Sequence, residues 1–212
     1  MIELVVPGDD LTVLCIGAHP DDIEIGCGAT LLGLSKKREV TARAVILTGH
    51  DKRKHEAVEA FPLFCPGAEV VVDVLGLPDG RLPAHWDATK EALERAAKIV
   101  QPDLIFAPRR DDAHQDHRLL AELVPTVWRD TLVLGYEIPK WDGDLNKVTV
   151  HVAASVEDAA RKVELLDQSF PSQRDRSWWT AETFLSLMRI RGIECRQRYA
   201  EGFVVDKAML AL

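Results

Sequence analysis

Cysteine is scarce in this chain. Its 212 residues include four cysteines, and none belongs to a Cys-x-x-Cys pair: Cys15, Cys27, Cys65 and Cys195. A disulfide framework is therefore not expected, and reduced cytoplasmic thiols are the default for such a sequence.

Long apolar runs and a basic leader are also missing. No run approaches the roughly 18 apolar residues that a membrane helix needs. The first residues, MIELVVPGDDL, gain acids early and have no basic region, so no signal peptide is expected. These absences predict a cytoplasmic protein without an integral membrane segment.

Positive charge is in deficit. Lysine and arginine number 26 against 34 aspartates and glutamates, which gives a formal net charge of −8. Such a chain lacks the basic surface of a general nucleic-acid binder, so nucleic acid is not an expected partner. The length and the 47% hydrophobic content fit one globular domain over residues 1–212.

Apolar segments and helical patterns alternate along the chain. Predicted strands at 11–17, 40–48, 69–75 and 104–107 are followed by predicted helices at 26–37, 53–64, 87–100 and 117–128. This alternation predicts an α/β fold with a doubly wound, mostly parallel sheet and helices on both faces. Further strands are predicted at 132–138, 148–152 and 202–205, with helices at 156–169 and 181–191. The last third is interpreted as a cap or an extension of the sheet.

Two polar clusters each follow a predicted strand. The segment 19–22 reads His-Pro-Asp-Asp and follows the first strand, and 114–117 reads His-Gln-Asp-His and follows the fourth. In the doubly wound order 3-2-1-4-5 these two strands are neighbours, and ligands bind beyond their carboxyl ends. Either loop alone is more typical of a solvated turn, but their joint position predicts one shared site.

The residue types suit a divalent metal ion. His19 and Asp22 can bind from one loop, and a histidine of the second cluster can complete a set with open positions. Asp21, beside a ligand, suits a general base for metal-bound water. Of His114 and His117, one can bind metal while the other stabilises an oxyanion or protonates a leaving amine. Asp116 is predicted to hold one imidazole in its required tautomer.

These motifs resemble a known family. AHPDDIEIGCGAT at 18–30 together with AHQDH at 113–117 resembles the LmbE-like, or PIG-L, metal-dependent N-deacetylases, over roughly residues 11–120. The resemblance implies a Rossmann-like fold and removal of an acetyl group from an N-acetylglucosamine-type sugar. Two positions depart from the common pattern: Ile23 separates HPDD from Glu24, and Gln115 stands where proline is frequent.

The resemblance also implies a role for each matching residue. The zinc ligands implied are His19, Asp22 and His117, with Fe²⁺ or another divalent ion as alternatives. The implied general base is Asp21 and the implied electrophile or acid is His114. Asp116 matches the acid between the two histidines. Arg53 and Asp79 resemble positions that hold sugar hydroxyls, although both also fit ordinary surface and turn residues.

Other candidate residues are interpreted as structural. Gly26 and Gly28 are expected to allow close helix packing, since the full dinucleotide fingerprint is absent. Four scattered histidines are expected at the surface or at helix caps: His50, His55, His85 and His151. Three tryptophans are expected in core or interface packing, with an apolar wall for a sugar ring as the alternative: Trp141, Trp178 and Trp179.

The expected function is therefore zinc-dependent hydrolysis of an N-acetylated sugar or glycoconjugate, a small-molecule substrate. Two alternatives stay open. A non-haem Fe(II) enzyme would use a similar ligand set, and a non-catalytic module would bind metal or sugar without turnover. A homo-oligomer is compatible with the sequence.

Overall fold

A seven-stranded sheet organises residues 3–209, which the computed structural model describes. The strands are β1 (Asp10–Gly17), β2 (Glu39–Thr48), β3 (Glu69–Leu77), β4 (Leu104–Pro108), β5 (Leu132–Tyr136), β6 (Val150–Ala154) and β7 (Tyr199–Val204). The helices are α1 (Asp22–Ser35), α2 (Asp51–Phe64), α3 (Trp86–Ile99), α4 (Gln115–Val127), α5 (Val156–Ser169) and α6 (Ala181–Glu194).

The strand order is β3-β2-β1-β4-β5-β7-β6. The first five strands are parallel neighbours, so the predicted order 3-2-1-4-5 is confirmed. β7 pairs antiparallel with β5 and with β6. The last third of the chain therefore extends the sheet. This confirms one of the two predicted alternatives, a cap or an extension of the sheet.

Apolar layers cover both faces of the sheet. Along β1, Val13 and Cys15 join a core with residues of α1, α2 and α5, whereas Leu14 and Ile16 join a second core with residues of α3 and α4. This alternation arises because successive side chains of a strand point to opposite faces. It confirms a doubly wound α/β architecture. None of the helices in residues 3–209 is long and apolar enough to cross a membrane.

α1 begins four residues earlier than predicted. The helix was expected from Gly26 but begins at Asp22. Every residue from Asp22 to Leu32 is buried, so its apolar side chains surround the helix instead of forming one stripe. The acids of its first turn, Asp22 and Glu24, lie inside the protein, where polarity does not mark a solvent face.

Glycines let α1 pack closely against its neighbours, as predicted. A Cβ on Gly26 would overlap the ring of Tyr136, and a Cβ on Gly28 would lie 2.8 Å from the ring of Phe64. The Tyr136 hydroxyl donates a hydrogen bond to the carbonyl of Ile16 at the end of β1 (2.7 Å). The ring therefore has little freedom to move away.

We expect Gly26→Ala to lower the free energy of unfolding by about 1–3 kcal/mol, because the added methyl overpacks a rigid neighbour. Gly33→Ala is the matched control on the same helix. Its Cβ would meet Asp158 Oδ2 only at 3.6 Å, so removing a helical glycine should raise stability by about 0.5–1 kcal/mol. Urea denaturation of both variants measures the difference between their free energies of unfolding. Equal stabilisation by the two would show that Tyr136 does not constrain α1.

Candidate metal centre and active site

The two polar clusters meet at the carboxyl ends of β1 and β4. These strands are parallel neighbours, with Val13 opposite Leu104 and Cys15 opposite Phe106. Nδ1 of His19 lies 3.2 Å from Nε2 of His117, although 98 positions separate them in the chain. The structure therefore brings the two predicted loops into one site.

Three donor atoms form a small triangle. Oδ2 of Asp22 lies 3.4 Å from Nδ1 of His19 and 3.2 Å from Nε2 of His117, and the third edge is the 3.2 Å between the two histidines. A tetrahedral zinc ion with bonds of about 2.0–2.1 Å holds its ligand atoms about 3.3–3.4 Å apart. All three residues are buried. The donor set fits a tetrahedral ion that keeps its fourth position open.

Charge at the triangle favours a cation. Burial alone would raise the pKa of Asp22, but His117 and His19 hold it well below its usual value. Burial opposes protonation of His117, yet Asp22 and Asp112 raise its pKa to about 9. The acids therefore stabilise positive charge on the imidazoles, and the same field would stabilise a divalent ion.

Asp21 occupies a strained position beside the triangle. It precedes the first residue of α1 with a φ of 108°, in the left-handed region that few non-glycine residues adopt. Its Oδ2 accepts a hydrogen bond from the Arg53 guanidinium of α2 (2.9 Å), which also donates to the carbonyl of Pro20. Burial raises the pKa of Asp21 to about 7, although Arg53 and, more weakly, Arg176 lower it.

His114 lies next to the triangle at the start of α4. It is the N-cap residue, and its Nδ1 accepts the backbone N–H of Asp116 (3.2 Å). In the neutral ring the proton must then reside on Nε2, which can donate to an oxygen. Burial and the charges of His19 and His117 lower the pKa of His114, which favours this neutral form. A third imidazole in the cluster makes a three-histidine set a geometric alternative.

Asp116 and Asp79 connect the site to the turn after β3. Asp116 accepts the backbone N–H of Gly80 (2.8 Å) and of Leu82 (3.0 Å), and its Oδ2 lies 3.4 Å from Nε2 of His19. Asp79 lies closer to that nitrogen, at 3.0 Å, with its side chain 58% exposed. Asp116 thus fixes the turn that carries Asp79, in addition to its contact with an imidazole.

Asp112 is the residue that sequence reasoning missed. Its Oδ2 lies 3.0 Å from Nδ1 of His117, and its other oxygen lies 3.1 Å from Nζ of Lys140. A carboxylate behind a metal-binding imidazole orients the ring and raises its basicity. The sequence offers little to single it out, because an aspartate pair after a strand, here 111 and 112 directly before the second motif, is also typical of a solvated turn.

We expect Asp112→Asn to weaken metal binding by about 10–100-fold, because His117 loses the carboxylate behind its ring. Asp111→Asn is the matched control, since the neighbouring Asp111 is half exposed and pairs with Arg109 instead. Competition with a chromogenic chelator measures both affinities. If the two variants bind metal equally well, Asp112 does not support His117.

The remaining candidates lie where they were expected, with one exception. His50, His55 and His85 are exposed, and His151 pairs with Glu194 (2.9 Å) away from the site. Trp179 is buried in the core, and Trp178 packs against that core. The exception is Trp141, which is 67% exposed and therefore lies outside the core; its other predicted roles, in an interface or as a wall for a sugar ring, stay predictions.

Comparison with known proteins agrees with the site. The PIG-L family, described as GlcNAc-PI de-N-acetylase, matches residues 14–128, which contain both motifs. The chain belongs to the PIG-L family. The resemblance seen in the sequence is thereby confirmed, and the match covers more than half of the chain.

Individual relatives extend the comparison. The uncharacterized deacetylase YaiS of Escherichia coli K12 is 32% identical over 139 residues, which are 60% of this chain and 74% of that protein. N,N'-diacetylchitobiose deacetylase from Pyrococcus horikoshii, solved with its inhibitor MPG, has a TM-score of 0.69 at 22% identity, over 92% of this chain and 83% of that one. GalB, the 4-carboxy-2-hydroxymuconate hydratase of Pseudomonas putida KT2440, has a TM-score of 0.77 at 15% identity, over 95% and 98%.

The two structural likenesses show the fold, which is Rossmann-like as the resemblance implied. The family match and the deacetylase relative place this PIG-L protein among the metal-dependent N-deacetylases.

Proposed function

We propose that this protein is a zinc-dependent hydrolase that removes the N-acetyl group from an N-acetylglucosamine-type sugar. The observation that carries the proposal is the buried triangle of His19, Asp22 and His117 with Asp21 beside it. Its edges of 3.2–3.4 Å suit tetrahedral zinc. When bound there, Zn²⁺ supplies an acidified water and a Lewis acid for the amide carbonyl.

Three side chains carry out the remaining steps: Asp21, Arg53 and His114. Asp21 accepts the proton of the attacking water and later returns it to the leaving amine, so that one carboxyl group serves first as base and then as acid. Arg53 holds this carboxylate in place through its hydrogen bond of 2.9 Å. The Nε2–H of His114 donates to the carbonyl oxygen as negative charge develops on it.

Residues at the rim of the site can bind the hydroxyl groups of the sugar. Asp79 is half exposed beside His19, and its carboxylate can accept hydrogen bonds from sugar hydroxyls. Arg53 is partly exposed. His19 and, more weakly, Arg53 lower the pKa of Asp79, so the Arg53 guanidinium can contact a hydroxyl in addition to Asp21. Asp116 keeps Asp79 in place by binding the backbone N–H groups of Gly80 and Leu82.

Acetate release tests the proposal. Protein stripped by a chelator and reloaded with Zn²⁺ should release acetate from N-acetylglucosamine derivatives, and the stripped protein should not. Elemental analysis of protein as purified identifies the resident metal. Oxygen uptake with Fe(II)-loaded protein would favour the non-haem iron alternative. Sugar binding without acetate release across a broad panel would favour a non-catalytic module.

A further inference from the structure

One largely buried lysine lies close to the metal centre without belonging to it. Lys140 lies in the loop between β5 and β6, and only 11% of its side chain is accessible. A lysine is seldom buried to this extent unless its charge is paired. It also lies beyond residue 128, where the match to the PIG-L family ends. The partners of Lys140 therefore show what the last third of the chain contributes to the site.

Two carboxylates bind the ammonium group of Lys140. Its Nζ lies 3.1 Å from Oδ1 of Asp112 and also pairs with Oδ2 of Asp144. Both acidic side chains are buried. Within residues 3–209, no other lysine or arginine pairs with either carboxylate. Two buried carboxylates on either side of one ammonium group would repel each other without it, so their arrangement depends on Lys140.

The same two carboxylates hold the segment that leads into α4. Oδ1 of Asp112 accepts the backbone N–H of His114 (2.7 Å), and Oδ2 of Asp144 accepts the backbone N–H of Ala113 (2.7 Å). The second oxygen of Asp112 lies 3.0 Å from Nδ1 of His117. Each oxygen that contacts the ammonium group thus also accepts a backbone N–H of this segment.

The position of this segment decides where two histidines of the site lie. His114 is the N-cap residue of α4, and His117, in the first turn of that helix, supplies Nε2 to the donor triangle. A displacement of about 1 Å caused by a change away from the reacting atoms can cost about 100-fold in rate. A small shift of residues 112–114 would therefore affect both the oxyanion donor and a metal ligand.

We propose that Lys140 is a positioning residue of the metal centre. By bridging Asp112 and Asp144, it holds the start of α4 so that His117 points its Nε2 at the metal and His114 points its Nε2–H at the substrate carbonyl. Lys140 contacts neither metal nor substrate and acts through the two carboxylates. The inference rests on the proposed function where it concerns His114, and on the metal site alone where it concerns His117.

Lys140→Met tests the role, because it removes the charge and keeps an unbranched side chain. In the zinc-loaded variant, kcat for acetate release should fall about 10–100-fold with KM changed less than about twofold, because His114 is displaced while the sugar still binds. Zinc affinity, measured by chelator competition, should fall about 3–10-fold, less than for a change at Asp112 itself. Lys140→Arg keeps the charge and can donate to both carboxylates, so it should recover most of both losses.

Lys36→Met is the matched control. Lys36 also pairs with a buried aspartate, Asp158, but it lies at the far end of α1, a helix of 14 residues that begins at Asp22. Both variants break an ion pair to a buried carboxylate, so both should lower the midpoint of urea denaturation. Only Lys140→Met should change kcat and zinc affinity.

A double variant keeps the test decisive if Lys140→Met does not fold. Lys140→Met with Asp144→Asn removes one cation and one anion, so the buried charge stays balanced. The amide oxygen can still accept the N–H of Ala113. Zinc affinity and kcat should stay low in this protein, because Asp112 has lost its ammonium partner.

The outcomes separate this inference from the proposed function. If the unchanged protein releases acetate and Lys140→Met, or the double variant in its place, matches Lys36→Met in kcat and zinc affinity, the positioning role is overturned and the proposed function stands. If the unchanged protein releases no acetate but Lys140→Met still binds zinc more weakly than Lys36→Met, the proposed function is overturned and the role of Lys140 at the metal centre stands.

Discussion

Replacing Asp21 by asparagine is expected to lower kcat for acetate release by about 10²–10⁴-fold while leaving the metal in place. An amide cannot accept the proton of the attacking water, and general base catalysis contributes an effect of this size. Asparagine tolerates the left-handed backbone that Asp21 adopts at a φ of 108°. The substitution therefore removes the proton acceptor without forcing the start of α1 to change.

Steady-state kinetics and elemental analysis on the same preparation provide the measurement. Metal content should remain near that of the unchanged protein, because Asp21 lies outside the triangle of donor atoms. If Asp21→Asn loses its metal together with its activity, the division between base and ligand proposed for this loop is wrong.

Asp22→Asn should instead lower the affinity for the metal, and acetate release should fall because the metal is lost. The amide oxygen can still accept the backbone N–H groups of Ala18 and His19, which the carboxylate binds at 2.9 and 2.8 Å. The loop should therefore keep its shape, but the negative charge of the ligand is gone. The affinity should fall by more than the roughly 10–100-fold typical of a residue behind a ligand.

The two variants control for each other, since they make the same chemical change at adjacent positions. Chelator competition should show weak binding for Asp22→Asn and ordinary binding for Asp21→Asn. Added Zn²⁺ should restore part of the activity of Asp22→Asn and none of that of Asp21→Asn. Equal metal affinity in the two proteins would contradict Asp22 as a ligand.

The parallel half of the fold could be predicted because its strands are short, apolar and separated by helices. β1 and β4 are apolar on both faces, which is typical of strands covered by helices on both sides. Once their order was assigned, the rule that ligands bind beyond the carboxyl ends of such strands brought the His19 and His117 loops together. The hydrophobic pattern of the strands and the strand order of the doubly wound fold were sufficient to predict that these two loops meet.

The antiparallel edge could not be predicted in the same way. β7 enters between β5 and β6, although it follows both in the chain. Its position depends on contacts with elements distant in the chain, including the buried carboxylate of Glu201 in β7, which accepts the backbone N–H groups of Ala29 and Thr30 in α1. Such pairing depends on tertiary contacts that no short window of sequence contains.

Asp112 and Trp141 show a further limit of sequence reasoning. An aspartate after a strand and a tryptophan in a loop are common in any protein, and neither belongs to a recognisable spacing. Their significance comes from Lys140, which places the loop of Trp141 against Asp112 through a contact of 3.1 Å. Only the folded chain shows that Asp112 lies against His117 and that Lys140 joins the loop of Trp141 to Asp112.

The separation of His19 and His117 by 98 positions has a consequence for loading of the proposed metal site. During synthesis, the N-terminal half can form its first strands and helices well before the second histidine leaves the ribosome. An ion captured at that stage would have only the first loop to hold it. In the proposed metal site, secure loading would require β4 to pair with β1, and a bound ion would then disfavour separation of these two strands.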